Sequence, residues 1–472
     1  MTFIVSLFLL TIIIISTVSM RGNTTYGDLA KPRTIHGEPI IHDHSLEPET
    51  IFRGEGFFTS MAFVGPNDIL VLDKNSGRVH KIVNGRFLDE PLLDVKVANM
   101  NERGMLGIAV AKNSDKDSHS LGEDGKDQKT YVFLLYSASK AEDEEAHDRQ
   151  EDLLGNSLYR YELDREKLTN PRLLLKLKPD PRTVHNGGTT VIGPDNNVYV
   201  VTGEAGNSKT LSRNIKDGLN PFGSSGILRL TQDGRPLVDI NGTGILGNTY
   251  PLTMYYAYGI RNSFGMDFDP VTGNLWDTEN GPYYGDEINL VEPGFNSGWA
   301  YVHGIWEQNE GYAGSTKINP SENLVDLNGR GKYSPPEFTW LHSGIGVTAL
   351  KFLDSDKLGK QYENDMFVGD WSNGRLYHFD LDEHRRGLDL KGPLEDKISN
   401  SPEELQDITF GEGFGGITDI DVGPDGYLYI LSVRFIRDNC EDYDSEDEED
   451  NCSNWEGTIS RVKRAENNIS NH

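Results

Sequence analysis

Three short segments hold residue types that could do chemistry. Val184-His185-Asn186-Gly187-Gly188 sets a histidine just before a glycine pair. Imidazole titrates near neutral pH, so His185 could take a proton from a hydroxyl group. A turn histidine bonded to backbone is the plainer alternative. Tyr258-Gly259-Ile260-Arg261-Asn262-Ser263 places Arg261 behind an aromatic run, where it either stabilises negative charge or faces solvent. In the third segment, Glu279 to Asn289, a Gly281-Pro282 turn exposes carbonyls and the carboxylates Asp286 and Glu287 follow closely. Oxygen-only ligands suit Ca²⁺ better than a transition metal, although a plain acidic turn has the same composition. The sequence has no Walker loop, GxSxG elbow, HExxH or paired CxxC.

Elements that could bring these segments together recur along the chain. Met61 to Gly85 reads MAFVGPNDILVLDKNSGRVHKIVNG, and related stretches run from Thr189 to Gly206, Gly265 to Gly281 and Ile417 to Val433. Looser copies span Gly104 to Asp164 and Val347 to Asp382. Within each copy the apolar residues alternate with period two between Gly-Pro-Asp-like turns, and sustained 3.6-residue periodicity is nearly absent. Such repeats predict an all-β fold, a six-bladed β-propeller of four-stranded antiparallel blades over residues 45–465. Separate β-sandwiches are the alternative, but no Pro/Ser/Gly-rich linker divides the copies. In a propeller, equivalent loops meet at one end of the axis, so distant segments can share a site.

With those residues in view, the chain resembles the soluble quinoprotein glucose/sorbosone and aldose sugar dehydrogenases. The likeness rests on ERGMLGIAV (Glu102 to Val110), HNGGTTVIGPDNNVYVVTGEAGN (His185 to Asn207), YGIRNSFGMDFDP (Tyr258 to Pro270) and ENGPYYGDEINLVEPGFNSGW (Glu279 to Trp299). The resemblance implies a cavity that holds pyrroloquinoline quinone with a bound Ca²⁺, and a small-molecule sugar as substrate. It implies His185 as the base for the C1 hydroxyl, Glu204 as the acid that orients it, and Arg261 beside the reacting quinone oxygens. Asn262, Glu102 and Thr418 fall at cofactor-binding positions, and Gly281, Pro282, Asp286 and Glu287 make up the metal set. Three cationic positions of the family pattern fall here near Ser372 or Asn373, at Gly416 and at Thr418, none of them charged. Lys351, Arg375 and Arg434 are the candidates to replace them. The competing readings are a calcium-stabilised propeller that binds carbohydrate or protein without catalysis, and a Ca²⁺-dependent lactone or ester hydrolase.

Composition narrows the partners. The 472 residues carry 45 Lys+Arg against 74 Asp+Glu, a net charge of -29, which argues against nucleic acid and against anionic lipid surfaces. Two cysteines exclude a disulfide framework, but Cys440 and Cys452 could close an acidic loop in an exported protein. Met1 to Met20 has no charged residue and reads as a signal peptide or anchor, with residues 21–44 connecting it to the propeller and 466–472 forming a tail. The expected protein is therefore extracytoplasmic. It would touch a membrane only through a retained anchor and would pass electrons to an unidentified extracytoplasmic acceptor.

Overall fold

The Gly-Pro-Asp turns explain the building unit. After Gly193, Asn196 N–H closes a tight turn on the Gly193 carbonyl at 2.8 Å, and Asn196 takes a left-handed φ of 62°. After Gly423, Gly426 makes the same 2.8 Å bond with φ 80°. In both turns a tyrosine four residues beyond the aspartate returns its hydroxyl to that carboxylate at 3.0 Å: Tyr199 to Asp195 and Tyr429 to Asp425. The sequence repeat is thus a repeat of side-chain geometry.

The computed structural model describes residues 37–113, 129–141, 147–179, 182–205, 209–307, 324–342, 345–437 and 453–465. The N-terminal apolar run and both cysteines lie outside them. Strand makes up 48% and helix 6%, as the missing helical periodicity led one to expect. Among the described residues no helix is long and apolar enough to cross a membrane.

The sheets are arranged as a β-propeller. Five blades are continuous in the chain, with innermost strands Phe58–Gly65, Met105–Asn113, Thr190–Ile192, Ser263–Phe268 and Val347–Phe352. A further sheet is composite. Gly416–Val422, Leu428–Arg437 and Ser453–Arg464 are completed by the N-terminal strand Leu46–Glu55, which pairs antiparallel from Leu46↔Arg464 to Glu55↔Glu456. The expectation of six four-stranded antiparallel blades is corrected: the propeller has five blades, not six. Only the composite sheet and the one starting at Met105–Asn113 are plainly four-stranded. The sheet of Thr190–Ile192 gains the parallel strands Phe295–Asn296 and Lys332–Tyr333, and that of Ser263–Phe268 gains the parallel Ile398–Ser399. Ile40–Ile41, expected to be connecting chain, adds to the sheet of Val347–Phe352. The physical reason is that exposed sheet edges favour pairing, and long loops and both chain ends supply the covering strands.

The core lies between sheets. Phe133 and Leu158 of one blade cluster with Val200 and Leu228 of the next. Trp276 and Phe338 likewise meet Val368 and Tyr377, while Phe58 and Ile69 meet Tyr429 and Ile459 across the chain's closure. Each fully buried side chain of this size contributes roughly 1.5–3 kcal/mol. At the axis, threonines stitch neighbouring innermost strands: Thr59 Oγ1 donates to the Met105 carbonyl and Thr418 Oγ1 to that of Phe58, both at 2.8 Å. The innermost strands enclose an axial cavity of about 700 Å³.

Candidate active site

His185 leaves the loop between Lys167–Lys176 and Thr190–Ile192 with φ +60°, a conformation uncommon outside glycine. The neighbouring chain at Gly203 has to be a glycine, because a Cβ there would lie 2.2 Å from the His185 carbonyl oxygen. The imidazole Nδ1 stands 2.9 Å from Glu204 Oε1, and Nε2 stands 2.9 Å from Arg261 Nη2. A guanidinium can only donate. Nε2 is therefore assigned as the acceptor, and Nδ1 carries the proton that Glu204 accepts.

Glu204 sits behind the histidine, its side chain 2% exposed and 2.8 Å from Arg213 Nη2. Burial alone would raise its carboxyl; the His185 bond and the charges of Arg213 and Arg261 outweigh burial and hold it below the usual carboxylate range. Arg261 is fixed at both ends. Its backbone N–H donates to Glu279 Oε1 at 2.6 Å, and Nη1 donates to the Asn280 carbonyl at 2.8 Å. Burial pulls its guanidinium down from the ordinary value, opposed by Glu102, Glu204, Asp286 and Glu279. Glu102 Oε2 accepts from His185 N–H at 2.6 Å and from Asn262 Nδ2 at 3.1 Å, while Asn262 Oδ1 accepts from Gly187 N–H at 3.0 Å. Loops from three blades are locked together by this one acid and one amide.

Eight of the ten expected residues line the axial cavity: Glu102, His185, Arg261, Asn262, Gly281, Pro282, Asp286 and Thr418. Three of the expected residues have protein partners of their own. Asp286 spends Oδ1 on Gly281 N–H and Oδ2 on Gly346 N–H, both at 2.7 Å, so it braces the turn. Glu287 does not line the cavity, and it accepts from Gly304 N–H. Thr418 gives its hydroxyl proton to the Phe58 carbonyl. The proposed substitute cations are also engaged elsewhere. Lys351 lines the cavity but lies 3.4 Å from both Asp267 and Asp421. Arg375 is 3.9 Å from Glu412, and Arg434 donates to the carbonyls of Gly37 and Gly413. At Gly416 the Trp371 indole covers the backbone so closely that a Cβ would come within 2.7 Å of the ring.

Sequence reasoning passed over Lys74, Arg213, His303 and the role of Glu279. Glu279 was legible, two residues before the Gly281-Pro282 turn; Arg213 and His303 carry no local signal. Beneath that turn lies a fully buried group. Burial pushes Asp277 up to about 7 and Glu279 up to about 8, and raises Glu287 as well. His303 Nδ1 lies 3.8 Å from Glu279 Oε1 and 3.6 Å from Glu287 Oε1, and neither of its ring nitrogens makes a hydrogen bond. The hydrogen bonds these acids accept come from neutral donors, the Arg261 backbone N–H and Ser297 Oγ to Glu279 and Gly304 N–H to Glu287, which do not offset the desolvation of a charge.

The glucose/sorbosone dehydrogenase family pattern matches residues 58–434. The chain is 26% identical to aldose sugar dehydrogenase YliI of Escherichia coli over 79% of its own length and 86% of that protein's. It is 32% identical to quinoprotein glucose dehydrogenase B of Acinetobacter calcoaceticus, over 33% of its own length and 34% of that protein's. It spans 58% of an uncharacterised Synechocystis protein at 25% identity over 57% of its own length. The PQQ-bound aldose sugar dehydrogenase of Streptomyces coelicolor shares the fold, with a TM-score of 0.55 at 19% identity, over 89% of this chain and 99% of that one.

Proposed function

Since the chain belongs to the glucose/sorbosone dehydrogenase family, we propose that it is a quinoprotein oxidising an aldose, or a related sugar alcohol group, at C1. Pyrroloquinoline quinone would sit in the axial cavity. The observation that carries this reading is the relay Arg213–Glu204–His185–Arg261, with the acceptor nitrogen of His185 at the cavity wall.

The cavity volume falls in the range of cofactor pockets, and Arg261 and Asn262 fit one polar edge of a planar quinone. When bound, the quinone supplies the acceptor for the C1 hydride. The chain's own residues deal with the proton. His185 Nε2 takes it from the C1 hydroxyl, exchanging its Arg261 bond for the substrate's. Glu204 keeps hold of Nδ1–H and stabilises the imidazolium that forms. Arg261 holds positive charge where negative charge develops. Ca²⁺ would be held by the carbonyls of Gly281 and Pro282, with Asp286 fixing the turn. Glu279 and Glu287 offer further oxygen donors beneath it.

The same reading takes the protein as exported through Met1 to Met20, with electrons leaving to an extracytoplasmic acceptor. A carbohydrate-binding propeller without catalysis is the second reading, favoured by the absence of charge at Gly416 and Thr418. The deciding assay is dye-coupled oxidation of a panel of aldoses by protein reconstituted with pyrroloquinoline quinone and Ca²⁺. Turnover that depends on the quinone supports the dehydrogenase; quinone uptake without turnover on any aldose supports the binding propeller.

A further inference from the structure

We infer that Lys74 is the anion-binding residue of the axial cavity, where its ammonium receives a carboxylate of the bound cofactor. The inference rests on the quinoprotein reading above and names a residue that the family pattern does not supply. A tricarboxylate ligand needs cations, and the positions where the resemblance puts them are closed. Trp371 covers Gly416, Thr418 bonds to Phe58, and the Asn373 N–H is taken by Asp370 at 2.6 Å. Of the lysines lining the cavity, Lys351 is already neutralised by Asp267 and Asp421. Lys74 is the other.

Its geometry is that of a prepared site. Lys74 follows the strand Asp68–Asp73, and its backbone is pinned on both sides: N–H to the Phe57 carbonyl at 2.8 Å, and carbonyl to Met105 N–H at 3.0 Å. The stem crosses Gly104, where a Cβ would meet Lys74 Cγ at 2.7 Å. At the tip, Nζ donates to Asn75 Oδ1 at 2.8 Å and to the Asn99 carbonyl at 2.9 Å. Both acceptors are neutral, the Phe57 ring centroid lies 5.3 Å from Nζ as a weak cation–π partner, and Lys74 forms no ion pair with any described carboxylate, so the ammonium, with three N–H groups, can still give one to an anion.

Yet the residue is only 4% exposed. Burial pulls its ammonium down to about 8, although Asp148, Glu102 and Asp73 act from a distance to hold the charge. A buried ammonium without a contacting anion is costly. A ligand carboxylate would supply that anion, so the cavity should prefer an anionic ligand over a neutral one of the same shape.

The test compares pyrroloquinoline quinone with its trimethyl ester, whose carboxylates are uncharged. Binding to full-length protein is followed by quinone absorbance and tryptophan fluorescence, with no substrate present. The expected result is that Lys74→Met weakens quinone binding about 10- to 100-fold, the scale of one charged hydrogen bond. Ester binding should stay the same, and Lys74→Arg should retain most of the preference for the acid. A thermal melt of each variant checks that it is folded. Equal affinity of wild type and Lys74→Met for the quinone would overturn the role of Lys74 while leaving the quinoprotein reading in place. Failure of the wild type to bind the quinone at all would overturn both.

Discussion

Two ends of the propeller bury aspartates in opposite ways. On the face away from the catalytic loops, Asp269 follows Ser263–Phe268 and is wholly covered, with Arg385 donating from Nε and Nη2 at 2.8–3.0 Å. Burial would raise its carboxyl, but the arginine and Thr272 outweigh burial and hold it below the usual range. On the catalytic face, Asp370 is equally buried and accepts from neutral donors, among them Tyr377 Oη at 2.8 Å and Asn373 N–H at 2.6 Å. Burial pushes it up to about 6 despite those bonds. Neutral hydrogen bonds do not repay the desolvation of a charge; a cation does. The far face supplies its cations from the chain. The catalytic face leaves carboxylates at Asp277, Glu279 and Glu287 and an ammonium at Lys74 without contacting counter-ions, which is the condition of a surface that binds charged ligands.

The sharpest way to break this comparison is to remove the cation of the far face. Arg385→Met should cost about 3–5 kcal/mol in denaturant unfolding, because it leaves Asp269 buried and unpaired. The folded variant should still turn over sugar at the wild-type rate. An unfolding midpoint close to wild type would show that Asp269 tolerates burial alone.

At the catalytic face the effects should fall on function. His185→Ala should lower sugar oxidation by ~100-fold or more while quinone binding and the melting temperature stay near wild type, the scale expected of a general base. Equal rates for variant and wild type in the dye-coupled assay would remove His185 from the chemistry.

Calcium sharpens the comparison next. At free Ca²⁺ a hundredfold above Kd, binding should add about 2.7 kcal/mol to stability. Chelation should therefore lower the melting temperature of the wild type, and the paired replacement of Glu279 and Glu287 by Gln should abolish the dependence. An identical melt with and without chelator would show that the buried acids are held by protons.

The most gradual effect concerns pH. The Asp370 carboxyl is raised when folded, so the unfolded chain ionises first as pH rises. Its contribution to stability is greatest below about pH 4, is lost as pH climbs toward about 6, and is flat above that. The slope is at most about 1.4 kcal/mol per pH unit. Asp370→Asn should flatten this window in unfolding titrations, whereas Arg385→Met should instead alter the acid limb below pH 4.

Much of the fold was legible because its causes are local. Period-two alternation and Gly-Pro-Asp turns are short-range signals, and Asp195–Tyr199 and Asp425–Tyr429 show them repeating down to one hydroxyl contact. The closing strand was less legible, since Leu46–Glu55 pairs with residues some four hundred positions away.

The sequence by itself determined the all-β repeat and brought His185, Arg261, Asn262 and the Gly281-Pro282 turn into one reading, because each lies in a motif a few residues long. Tertiary structure alone decided which side chains are spent. Asp286 became a brace, Thr418 a stitch between strands, and Lys351 a partner of two aspartates, while Arg213 was brought behind Glu204 and Lys74 was left facing the cavity with a charge to give. The physical reason is that residue type and spacing specify what a side chain can donate or accept, but the hydrogen bonds it has left depend on neighbours from other blades, and those are chosen only when the ring closes.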